Sequence, residues 1–160
     1  MINLTSKEIK GYASSSIARN ENKDCFVRAL AAGFEIGYND AHAIAKDRFK
    51  REDKKGTKNE YIVSGMKEIE ESGIAIGDVI AKVKVLKGLD IKNRYKLYGE
   101  LVDRKKTVKS FIKDHPKGNY IVTVSKHAFA LKDGKLIDNK GEEFRPTRKV
   151  DGAYEILLPK

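Results

Sequence analysis

The stretch HAFALKDGKLID, residues 127–138, decides the reading of the fold. Asp133-Gly134 lies between two largely apolar runs, and Asp-Gly in that setting is the strongest short signal for a β-hairpin, because a two-residue type I′ turn needs positive φ at both central positions. With Asp133 and Gly134 as the turn, Lys132 faces Lys135, Leu131 faces Leu136 and Asp138 faces Phe129. His127, two residues before Phe129, shares that face, and diagonal neighbours on a ladder lie about 7–8 Å apart. Asn139 points the other way, and a one-residue slip of register would exchange it for Asp138. The face bearing Phe129, Leu131 and Leu136 is apolar and expected to look into the core. A carboxylate there is costly unless paired, and the His127 imidazole is the partner the register offers Asp138. Such a pair can simply brace a hairpin, or it can set up a reactive imidazole.

Further strands surround this hairpin. NYIVTVS (119–125), AYEILL (153–158) and the alternating DVIAKVKVL (78–86) read as strands. TVKSFIKDHPKG (107–118) reads as a short helix capped by Thr107 and stopped at His115-Pro116, with His115 serving its C-terminal end. The first half of the chain is helical. One helix runs from Cys25 to about Ala32, with Asp24 as N-cap and Gly33 ending or loosening it. A second begins at a cap of Asn39 or Asp40 and carries the stripe Ala41, Ile44, Ala45, Arg48 and Phe49. A charged loop, 50–60, leads to a third from Ser64 to about Ser72, closed by Gly73. KGLDIKNRYKLYGELVDRKK (87–106) shows no decisive period. Helices first and an antiparallel sheet later make an α+β protein, expected as a single domain over 1–160.

The single cysteine, Cys25, excludes an internal disulfide. His42, His115 and His127 lack the close-set pairing of zinc sites, so neither a metal nor another cofactor is expected. The opening MINLTSKEIKGYASSS has no basic n-region or apolar h-region, and no long apolar run occurs. The expectation is a soluble cytoplasmic protein in a reducing compartment, with no membrane partner. The net charge of +10 is concentrated. Residues 82–118 hold twelve Lys or Arg against four acids, a segment that would attract nucleic acid or an acidic protein, or simply keep the chain soluble.

Cys25 opens a helix, where the positive end of the helix dipole favours its thiolate. Cys at a helix start, then His on a strand about a hundred residues on, then an acid or amide on the next strand, resembles the papain-like cysteine peptidases. DCFVRALA, YNDAHAIAKDRF and HPKGNYIVTVSKHAFALKDGKLID are similar to small papain-like proteins carried by bacteriophages, over residues 20–60 and 107–139. The resemblance implies a papain-like fold and a hydrolase of peptide, isopeptide or amide bonds, working in a host cell's cytoplasm if phage-encoded. It implies Cys25 as nucleophile, His127 as general base and acid, and Asp138 as the residue that orients the imidazole, with Asn139 as the alternative third residue. Papain's oxyanion-hole glutamine stands six residues before its cysteine. Here that position is Arg19, and Asn20 and Asn22 are the nearby amides for that task. Arg28 could steady the thiolate or salt-bridge the sheet, and nothing acidic near His42 in sequence is spaced to orient it. The competing reading is a catalytically silent papain-like module that binds a host protein or nucleic acid through 82–118.

Overall fold

The computed structural model describes residues 3–4, 9–21, 23–137 and 147–159, with backbone alone for 3–4, 90–97 and 101–104. Asn22, Asp138 and Asn139 lie outside the described residues. The chain runs β1 (Asn3–Leu4), α1 (Ser16–Arg19), α2 (Cys25–Phe34), α3 (Tyr38–Phe49), α4 (Asn59–Ser72), β2 (Ile74–Ile76), β3 (Val79–Val85), β4 (Asp90–Leu97), β5 (Glu100–Lys105), α5 (Val108–Asp114), β6 (Asn119–Val124), β7 (His127–Lys132), β8 (Lys135–Ile137) and β9 (Gly152–Leu157). This is an α+β protein with a helical N-terminal half. Its main sheet has the order β1-β8-β7-β6-β9-β3-β2. Six of these strands form an antiparallel ladder, and β1 joins the edge parallel to β8. Among the described residues no helix is long and apolar enough to cross a membrane.

The β7–β8 turn has the expected form. Lys132 faces Lys135, Leu131 faces Leu136 and Ala130 faces Ile137. Asp133 and Gly134 take φ of 49° and 78°, the two positive values of a type I′ turn. What differs is the number of apolar faces. Phe129, Leu131 and Leu136 do enter a core, formed with Val108 and Phe111 of α5. Ala128, Ala130 and Ile137 enter another on the opposite side of the sheet, with Phe26 and Leu30 of α2. A strand covered on both sides loses its polar alternation. Along β7 the alternation that remains is one of size, with alanines toward α2 and large side chains toward α5.

Small residues also set how closely the helices approach. Gly33 does not end α2, which continues through Phe34 to Glu35 in the left-handed region. A Cβ on Gly33 would stand 2.8 Å from Ile121 Cγ1, so the glycine lets the helix lie down on β6. Gly65 of α4 plays the same part against α3. Its Cβ would meet Phe49 Cδ1 at 2.5 Å and the Arg48 carbonyl at 2.9 Å. Gly65→Ala is therefore expected to destabilise by about 1–3 kcal/mol through overpacking. The check is the denaturant midpoint, which should fall at constant slope; an unmoved midpoint would mean that Phe49 and the Arg48 backbone give way freely.

Three boundaries depart from expectation. Helix α3 starts at Tyr38 with Gly37 at the N-cap, ahead of Asn39 and Asp40. Helix α4 starts at Asn59, five residues before Ser64, and its buried stripe already begins at Ile62 and runs on through Met66 and Ile69. The segment 87–106 contains β4 and β5, a separate two-stranded sheet. The chain reverses at Tyr98 and Gly99, with φ of 51° and 83°. A tyrosine at positive φ hid that turn, since the expected signal is Asn-Gly or Asp-Gly. Helix α5 follows its prediction. Thr107 Oγ1 accepts from the Ser110 N–H at 3.2 Å, and His115 is the C-cap residue, its ring 4.5 Å from that of Phe111.

Candidate active site

Helix α2 carries Cys25 at its first position, with Asp24 at the N-cap. Asp24 does not cap through its side chain. Its Oδ1 lies 3.0 Å from Arg28 Nη2, and its Oδ2 accepts the Tyr38 hydroxyl at 2.6 Å. All three residues are buried, so the carboxylate is desolvated but served at both oxygens. Burial, and then the Asp24 carboxylate, push the Tyr38 hydroxyl far up in pKa and keep it a donor. Arg28 thus pairs with the residue one turn back, Asp24, and contributes a charge near Cys25.

His127 is the first residue of β7, where a side chain at the strand's end is less confined to one face. Its ring stays near that of Phe129, with centroids 6.0 Å apart, and it shares a cavity wall with Cys25. The next residue, Ala128, gives its backbone N–H to the Cys25 sulfur. Burial is the largest single influence on the thiol and pushes its pKa up from 9.0. The hydrogen bond and charge of His127, the Ala128 N–H and the Arg28 charge together outweigh it, and the net shift is downward. Cys25 and His127, a hundred residues apart in the chain, are therefore brought together by the packing of α2 on β7.

A cavity of about 450 Å³ opens over the thiol. Cys25 and His127 share its wall with Arg28, Thr57 and the lysines Lys23 and Lys126, and Phe26, Ile62 and Val124 supply apolar surface. The Thr57 hydroxyl is buried and has no hydrogen-bond partner among the described residues. Asn20 is elsewhere. Its amide donates to the Ser16 carbonyl at 2.9 Å, and it lines a second cavity of about 510 Å³ together with His42. The structure does not bring that amide to the wall of the thiol cavity.

The second cavity borders a cluster that sequence reading missed. Glu21 Oε2 accepts from His42 Nε2 at 2.8 Å and from the Arg51 guanidinium, while Oε1 accepts the Lys54 N–H at 2.7 Å. The Glu21 and Arg51 side chains are 3% and 0% exposed, which makes this a buried ion pair. Burial alone would raise the Glu21 carboxyl; the bonds from Arg51, His42 and Lys54 overcome it and hold the group below its ordinary 4.5. His42 thus has acidic partners after all, Glu21 and also Asp53 at 3.5 Å. Glu21, His42 and Asp53 place ligand atoms within 4.8 Å of one another, as a metal site would. The positions of a cation are already taken, by Arg51 on Glu21 and by Lys46 on Asp53 at 3.3 Å. The cluster works as a clamp: it ties the loop through Arg51 and Lys54, which leads to Thr57 in the cavity wall, to the segment just before α2.

No protein-family model, curated protein or solved structure matches the chain.

Proposed function

We propose that this chain is a papain-like cysteine hydrolase acting on a peptide, isopeptide or other amide bond. The observation that carries the reading is a thiol at a helix start and an imidazole at the start of a strand packed on that helix, together in the wall of one cavity. In the first step His127 takes the thiol proton as Sγ attacks the carbonyl carbon. The Sγ–C bond forms, the C–N bond breaks, and His127 returns the proton to the departing amine. Water, activated by the same imidazole, then attacks the thioester and releases the acid. The Cys25 N–H, at the open end of α2, is a donor for the oxyanion. Asp138, outside the described residues, is the proposed orienting group on the strength of the resemblance and the hairpin pattern of the sequence. Asn139 is the alternative for that part.

Alkylation by iodoacetamide tests the nucleophile directly, since Cys25 is the only thiol. The rate is expected to exceed that of a small free thiol at neutral pH and to inflect below pH 9.0, the ordinary value. An inflection at or above 9.0 with a slow neutral rate would sink the reading. The competing module reading draws on the exposed Lys82, Lys84 and Lys87 at the start of the basic segment. It requires nucleic acid or an acidic protein to be retained at low salt and released steeply as salt rises.

A further inference from the structure

The thiol cavity is basic in an unusual way. Lys23 stands two residues before Cys25 and Lys126 one residue before His127, and both line the cavity. Both are exposed and neither is ion-paired among the described residues. Each holds a left-handed backbone conformation, with φ of 51° and 60°, which glycine or asparagine adopts far more readily than lysine. Long cationic side chains thus stand beside the two reactive groups, Lys126 in the two-residue turn that joins β6 to β7. Among the described residues no Asp or Glu lines the cavity. Arg28 is there too, its charge shared with the buried Asp24.

Resting on the hydrolase reading, we propose that the substrate is acidic: a peptide bearing Asp, Glu or a terminal carboxylate beside the bond that Cys25 attacks, held by Lys23 and Lys126. A cavity walled by Phe26 and Val124 below a cationic rim suits a short carboxylate side chain with an apolar stem. Thiolate attack needs an acyl carbon, which favours a peptide over a nucleic acid as the anion recognised. The Thr57 hydroxyl, without a partner among the described residues, supplies a neutral hydrogen bond to the same peptide.

Two alkylating reagents that differ in charge test this on the intact chain. The ratio of the iodoacetate rate to the iodoacetamide rate at Cys25 is expected to exceed that of a small free thiol by about threefold or more at low ionic strength, and to fall toward it in about 0.5 M salt, where the screening length is a few ångströms. Changing Lys23→Gln together with Lys126→Gln should remove the excess. A ratio equal to that of the free thiol, or one indifferent to the two substitutions, would overturn the proposal. The absolute iodoacetamide rate judges the nucleophile and the ratio judges the lysines, so the two readings fail separately. In a companion measurement, a Glu-rich hexapeptide is expected to protect Cys25 from iodoacetamide. Protection by a hexanucleotide with none by the peptide would also overturn it.

Discussion

Cys25→Ser is expected to lower turnover of an acidic peptide amide by about 10⁴-fold or more while leaving the unfolding midpoint close to that of the parent. A hydroxyl at the start of α2 keeps the size and suits the position, but it lacks the thiol's lowered pKa and cannot become an anion near neutrality. His127→Ala should cost as much, and the double variant little more, because the two side chains act as one unit. Asp138→Asn should slow turnover less, and Asn139→Ala should be near neutral. The reverse order for the last two would move the third role to the amide and the ladder by one residue. Turnover by the Cys25→Ser protein within tenfold of the parent would end the hydrolase proposal.

The largest effect on stability is expected at a residue outside the thiol cavity. Glu21→Ala would leave the Arg51 guanidinium buried without its carboxylate, and breaking a buried pair in this way costs about 3–5 kcal/mol. Chemical denaturation measures it; a loss under about 1 kcal/mol would show that water reaches Arg51 at little cost. The pH dependence has a definite sign. Glu21 titrates lower in the folded chain than its ordinary 4.5, so its contribution is fully present above about that pH and is lost as pH falls through the folded value. Glu21→Gln should therefore flatten the acid side of the stability profile.

How much of this could be read from the residues alone follows from the range of the interactions. The Asp133-Gly134 turn, the Thr107 cap and the helix start at Cys25 are local, and each has a local signature. The meeting of Cys25 with His127 was legible as far as residue type and element went. That the two would line one cavity was not, because alternation assigns His127 to the Phe129 face, and that face packs on α5. The Glu21, His42 and Arg51 cluster spans thirty residues and depends on where α3 lies, so no spacing rule reaches it. Asp24 has the residue type of a cap but is taken by Arg28 and Tyr38, and that competition is settled only by tertiary packing. The β4–β5 hairpin was missed through its Tyr98-Gly99 turn, and β1 because two residues paired to a distant strand carry no pattern.

The alanines on the α2 side of β7 bear on how this protein can vary. Ala128 and Ala130 let α2 lie close to β7 beside Cys25, and Gly33 does likewise over β6. A larger side chain at any of the three would lift the helix and draw the thiol away from both the imidazole and the Ala128 amide. Volume at these positions is therefore under the same constraint as the identity of the reactive groups, although none of them has any chemistry of its own. Enlarging residue 128 while keeping Cys25 and His127 is expected to move the thiol pKa back up toward its ordinary value with the fold retained.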